Sequence, residues 1–308
     1  MSENYLGILF ALCASVLWSI TVTLIKPISG NISPFLINPI KNSIGFILFV
    51  IVFIISGIPL WYDGLSNYEY AVILFSGSLG MFLGDTIFIY ALNKIGANRV
   101  AIVDAFSPVV IFTYSLILLP NQTLNFIQMI GFMITIIGLL ILTYEKDYED
   151  IDYKVKRFGI LLVLGAMMCT GFGVVYLKTV LNNINESGYN IKLNLWVTAF
   201  RLIPGVVLSW GLFLFQKNKS KLIAPIKLKH NLIPLLIASF IGPFLALGCW
   251  ILGYAFIDKP SIASIIGQTS VIFIVLLAWI FLKEQLTKLR IISTILVFTG
   301  VLLSTINL

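Results

Sequence analysis

The chain has 308 residues, of which 59% are apolar and only 11% charged, with a formal net charge of +7. Soluble domains carry about 25% charged residues, so a soluble enzyme of this length is excluded. A mean hydropathy of +1.02 points to an integral membrane protein, in which basic residues set topology rather than nucleic-acid affinity.

At ~20 residues per membrane crossing, spans are predicted over residues 5–25, 35–56, 70–93, 98–119, 124–144, 158–180, 193–215, 231–256, 261–282 and 288–306. The first carries Trp18 and ends at Lys26. No basic leader or small-residue cleavage site precedes it, so it reads as a retained helix rather than a signal peptide. The second span holds Pro39 and Lys41, and the third holds the small-residue stripe Ser76, Gly80 and Gly84, then Asp85 and Tyr90. Asp104 and Pro108 lie in the fourth. A polar segment, Glu145 to Arg157, follows the fifth. Tyr176 and Lys178 belong to the sixth span, Arg201 and Pro204 to the seventh, and Gly242, Pro243, Trp250 and Tyr254 to the eighth. Gln268, Thr269 and Ser270 supply neutral polar groups in the ninth. Cys13, Cys169 and Cys249 sit inside spans at unrelated spacings, which suggests neither a disulfide framework nor a metal site.

The two halves read as one module written twice. Gly7-Ile8-Leu9 with Leu12, Ala14, Val22 and Lys26 recurs as Gly159-Ile160-Leu161 with Leu164, Ala166, Val174 and Lys178. Gly80, Phe82, Leu83, Ala101 and Gly138 are matched by Gly242, Phe244, Leu245, Ala263 and Gly300. An odd number of spans per copy places the copies in opposite orientations, the plan of many secondary transporters. The expected fold is therefore an all-α integral membrane protein with ten transmembrane helices as two inverted five-helix repeats. The repeats cover 1–145 and 158–308, joined by the charged linker 146–157.

Loop charges agree with inversion. Counted from the first, the odd loops hold 15 Lys and Arg residues, whereas the even loops hold Lys178, Lys192 and Lys259 alone and the tails none. Basic loops stay in the cytoplasm, so a multi-pass cell-membrane protein is expected with both termini outside and the linker inside.

Ionisable groups inside a span cost ~2.5–3.5 kcal/mol even on insertion scales and are functional candidates by default. At 1.5 Å rise per residue, Lys41, Asp85 and Asp104 each lie roughly 9–13 Å from the odd-loop face and share one layer. One Lys facing two carboxylates leaves one acid able to exchange a proton. Arg201 occupies the place of Lys41 in the second copy, but Leu247 and Ile266 replace the two aspartates. A guanidinium without a fixed carboxylate is a candidate anion binder; the competing role is snorkelling to a helix end. Trp18, Tyr90, Tyr176, Trp250 and Tyr254 are candidate pocket aromatics, with Gln268 as a neutral ligand.

Leu17-Trp18-Ser19 with Lys26, the basic pair Lys41 and Arg201, Ala101 with Pro108, and the stretch Phe281-Leu282-Lys283-Glu284-Gln285-Leu286-Thr287 together carry a resemblance. The chain resembles the drug/metabolite transporter superfamily, specifically its ten-span EamA family, over both copies. That resemblance implies a secondary transporter, often an exporter of amino acids or other small metabolites, with a central cavity between the halves. The sequence departs from the pattern at Gln122, Ser270 and Thr170-Gly171, which stand for Glu, Pro and Trp-Ser. Family members usually keep their termini in the cytoplasm, the reverse of the charge count here.

The leading expectation is alternating-access transport of a small polar or zwitterionic metabolite, with proton coupling and no cofactor. Its partners would be the small-molecule substrate, protons and the lipid bilayer, without nucleic acid. An intramembrane aspartyl enzyme is the alternative from another class, although Phe82-Leu83-Gly84-Asp85 lacks its Gly-x-Gly-Asp context. A non-transporting receptor or scaffold is the third, and it predicts no polar cavity between the halves.

Overall fold

The computed structural model describes residues 3–104, 106–143, 152–186, 190–282 and 287–306. Linker residues 146–151, the Lys283–Leu286 part of the motif before the last span, and the side chain of Arg99 lie outside the described residues. Among the described residues every regular element is helical. The first half runs α1 (Glu3–Ile25), α2 (Pro34–Ser56), α3 (Asn67–Gly77), a π-helical turn Ser78–Gly84, α4 (Asp85–Asp104), α5 (Ser107–Leu118) and α6 (Phe126–Thr143). The second runs α7 (Tyr153–Asn185), α8 (Ile191–Leu214), the short α9 (Lys219–Ile223) with a 3-10 turn Ala224–Lys227, and α10 (Lys229–Phe240). A second π-helical turn, Ile241–Ala246, leads into α11 (Leu247–Phe256), α12 (Pro260–Gly267), α13 (Thr269–Leu282) and α14 (Lys288–Ser304).

Six continuous helical stretches are long and apolar enough to cross a membrane: Asn4–Ile25, Pro34–Ser56, Asn67–Ile95, Tyr153–Asn185, Ile191–Leu214 and Lys229–Phe256. Four shorter apolar helices, Ser107–Leu118, Phe126–Ile141, Pro260–Ile274 and Ile291–Ser304, accompany them. Two expected spans differ from simple rods. Residues 98–104 continue α4 instead of opening a new helix, and α5 starts at Ser107 with Pro108 in its first turn. Proline has no N–H to donate, so it is favoured where a helix begins and kinks or breaks one that runs through it. Likewise 261–282 is divided at Gln268 into α12 and α13. Local signals set the other ends. Ser66 and Glu69 form a reciprocal capping box at α3, and Gly57 closes α2 at a φ of 65°, a left-handed value that favours glycine.

Each half lies against the other. α2 lies along α8, α4 along α7, α1 along α11 and α6 along α14. Lipid is as apolar as leucine, so close approach of small residues drives such packing. At the α6–α14 crossing, a Cβ added to Gly300 would come within 2.6 Å of the Thr135 backbone N and 2.7 Å of the Gly131 carbonyl. Only glycine fits there.

Candidate functional site

The π-helical turn at Ser78–Gly84 positions the first charged pair. A π turn widens the helix and displaces backbone groups from their α-helical partners, which is why such turns recur at functional sites. Here the Met81 carbonyl accepts from the Asn38 amide at 3.0 Å and from the Asn42 amide at 3.1 Å. Asn38 Nδ2 also donates to Thr86 Oγ1 at 2.9 Å and Ser209 Oγ at 3.1 Å, and Asn42 Nδ2 to Asn38 Oδ1 at 3.2 Å. This network ties α2 to the far side of the turn. Lys41, on the same stretch of α2, thereby meets Asp85, the first residue beyond the turn. The Lys41 ammonium donates to the Asp85 carboxylate and, at 3.3 Å, to Asn42 Oδ1. The sequence placed these two residues in one layer, and the fold joins them as an ion pair.

Arg201 is fully buried. Its Nε donates to Ser76 Oγ at 3.0 Å, and that hydroxyl donates to the Gly173 carbonyl at 2.6 Å. Both terminal amino groups, Nη1 and Nη2, are buried without a hydrogen-bond partner. The guanidinium carbon lies 5.8 Å from the Trp250 ring centroid, within cation–π range. A Cβ on Gly80 would stand 3.2 Å from Nη2. The stripe of Ser76 and Gly80, legible in the sequence only as a contact seam, is therefore the berth of the guanidinium. More than nine in ten buried polar groups are satisfied in native structures. An arginine carrying two unsatisfied donor groups points to a ligand that completes it.

A cavity of about 200 Å³ lies between the halves. Trp18, Lys41, Asp85, Asp104, Gln268, Trp250 and Tyr254 all line it, so seven of the ten sequence candidates converge. Arg201 stands behind Trp250. Asp104 comes from the break between α4 and α5, with Ser107 beside it, and Gly267, Gln268 and Ser270 come from the break between α12 and α13. Broken helices at membrane depth are tolerated where they line a cavity, and they expose helix-end groups to it. Ser15 in α1 donates to the Ala11 carbonyl at 2.9 Å and approaches the Ile266 and Gly267 carbonyls at 3.2 Å. Tyr254 and Ser264, both buried, belong to the lining.

Two candidates lie elsewhere. Tyr90 packs against Phe35, with ring centroids 5.9 Å apart, beside a separate apolar cleft. Tyr176 meets Tyr68 through their hydroxyls at 3.0 Å. Apolar periodicity did not fix the rotation of these helices, because lipid-facing and packed positions are equally apolar. Residues the sequence reading did not select include Ser15, Thr170 and Ser264. Their signal was weak: small hydroxyls in spans usually bond their own helix, as Thr113 Oγ1 does with Val109 O at 2.9 Å. Among the described residues no three His, Cys, Asp or Glu side chains form a metal-holding group.

The comparisons with known proteins bear on this arrangement. The model of the EamA-like transporter family matches residues 5–144 and, a second time, 157–306. A relative from Clostridium kluyveri, described as an uncharacterized transporter, is 26% identical over 153 residues, which cover 50% of this chain and 48% of the relative. The match thus spans about half the length of that relative. A solved crystal structure of a protein superposes over 97% of this chain and 96% of its own, with a TM-score of 0.77 and 16% identity, a likeness of fold alone.

Proposed function

The chain belongs to the EamA-like transporter family, and from that premise we propose that it is a secondary active transporter of a small polar metabolite such as an amino acid. It works by alternating access, as an exporter or exchanger, and couples the cycle to protons. The observation that carries this reading is Arg201, buried beside the cavity-lining Trp250 with both terminal amino groups unpartnered. An anionic group of the substrate fits those donors in a bidentate manner. Asp104 lines the same cavity with no hydrogen bond or ion pair among the described residues, and it offers a place for an ammonium group or the coupling proton. Trp18 and Trp250 supply apolar faces. At about 200 Å³ the space falls below the ~300–1,000 Å³ of pockets for drug-sized ligands, which favours a small substrate.

The proposed machine is ten spans in two inverted copies, with both termini outside and the linker in the cytoplasm. Several features support it. The π turns fall at 78–84 and 241–246, and the broken spans before Ser107 and at Gln268, in the same order in each half. The family match covers each half in turn. Pairing of Asp85 with Lys41, rather than with Asp104, weighs against an aspartyl enzyme.

Counterflow in proteoliposomes tests the proposal. Vesicles loaded with one unlabelled zwitterionic metabolite are given the labelled form outside, across a panel of compounds and with or without a pH gradient. At least one compound is expected to accumulate transiently, faster with the gradient, and Asp85→Asn is expected to abolish it. Traces equal to empty liposomes for a broad panel would sink the transporter reading.

A further inference from the structure

A second cleft lies on the opposite side of the same π turn from the charged cavity. It holds about 250 Å³ and is lined by Phe35, Phe82, Leu83, Thr86, Ile87, Tyr90, Leu162 and Leu212. Of its two hydroxyl-bearing residues, Thr86 accepts from Asn38 inside the network that braces the turn and Tyr90 contributes its ring beside Phe35, and the other six lining residues are apolar. Four elements contribute: α2 near its start, the turn with α4, α7 near its start, and α8 near its end. The ends of α2, α7 and α8 adjoin basic odd loops, and on α4 Lys94 lies one turn beyond Tyr90. At that rim the Lys94 ammonium sits 5.6 Å from the centroid of the Tyr90 ring. Lys94 is exposed and makes no ion pair among the described residues.

We infer that this cleft is a binding site for one acyl chain of an anionic glycerophospholipid, whose phosphate sits at Lys94. An apolar slot within a hydrocarbon layer takes a hydrocarbon guest. The cation at its mouth selects an anionic headgroup over a zwitterionic one, as basic residues at a membrane surface do. Tyr90 joins the two parts, with its ring in the slot and its face toward the ammonium. The inference rests on the transmembrane placement of these helices and not on transport. It also gives a role to Tyr90, which the central cavity leaves aside.

Photolabelling tests it in the intact protein. The probes are phosphatidylglycerol and phosphatidylcholine, each carrying a diazirine on the acyl chain, in nanodiscs, with labelled peptides mapped by mass spectrometry. The phosphatidylglycerol probe is expected to label the Phe82–Tyr90 segment and Leu162 preferentially. Lys94→Gln should lower that labelling about fivefold, the factor equivalent to ~1 kcal/mol for one basic residue at an anionic surface. Ile87→Trp, which fills the slot, should abolish it and leave labelling at distant lipid-facing sites unchanged. Equal labelling by both probes, or labelling spread evenly over the lipid-facing surface, would overturn the inference. Unchanged labelling in Lys94→Gln would do the same, and this exposed position keeps the test valid should the tryptophan variant misfold. The readout is binding, so a failure of the transport proposal leaves the result intact.

Discussion

Replacing Arg201 with Met is expected to abolish saturable transport near the wild-type substrate range while leaving the thermal midpoint of the purified protein unchanged or higher. The two halves of this result have one cause. A guanidinium held by a single bond from Nε to Ser76 Oγ, with Nη1 and Nη2 unpartnered and only the Trp250 ring nearby, is a desolvated charge without a hydrogen-bonded counter-ion. Such a group destabilises the empty protein. Its removal relieves that cost, but the substrate then loses its charge-assisted bonds. Truncating one partner of a buried, hydrogen-bonded charge pair costs about 2–5 kcal/mol. Half-saturation should therefore rise by at least ~30-fold at 1.4 kcal/mol per factor of ten. Arg201→Lys should restore little, because an ammonium cannot present two parallel donors to a planar anion. Concentration-dependent uptake together with a thermal melt decides the matter. Unaltered half-saturation with a lower midpoint would make Arg201 a structural residue.

Lys41 and Asp85 should behave in the opposite sense. Both are largely withdrawn from solvent, with side chains 9% and 20% exposed, and they form an ion pair. Lys41→Met leaves the carboxylate alone, and Asp85→Leu leaves the ammonium alone. Each single variant is expected to lose about 3–5 kcal/mol, as when one partner of a buried pair is deleted. The double variant Lys41→Met/Asp85→Leu should recover most of that loss, because two apolar side chains of similar volume leave no charge behind. Transport should stay absent in all three. A double-mutant cycle on thermal stability measures the coupling. Additive losses would show that the two residues do not depend on each other.

Much of this site was legible from spacing. Helical rise placed Lys41 and Asp85 at one depth, and depth suffices when a lysine in hydrocarbon has few alternatives. Asp104 and Gln268 were reachable by the same route, since polar residues in spans have few places to go other than a shared cavity. Rotation about the helix axis was not legible. Trp250 and Tyr176 carried the same signal, yet one lines the cavity and the other pairs with Tyr68. The breaks before Ser107 and at Gln268 were half written. Pro108 signals a helix start, whereas Gln268 follows a glycine, precedes Thr269 and Ser270, and has no proline nearer than Pro260. The π turns left no mark, because one extra residue per turn over six or seven positions does not alter an apolar pattern. The partner of Arg201 was hidden for another reason: Ser76 lies 125 positions away in the other half, and only the packing of α8 against α3 and the following turn brings them together.

Alternating access requires that one cavity be reached from each side of the membrane in turn. Gly267 lines that cavity, and a Cβ added there meets nothing within 4 Å, so Gly267→Cys introduces a thiol without steric conflict. In a background with Cys13, Cys169 and Cys249 replaced by Ala, the rate of modification by a membrane-impermeant thiol reagent is measured from each face. Modification is expected from both faces, slowed from both by a compound that supports counterflow, with no steady leak of small ions. Modification from one face alone, or from neither, would contradict it.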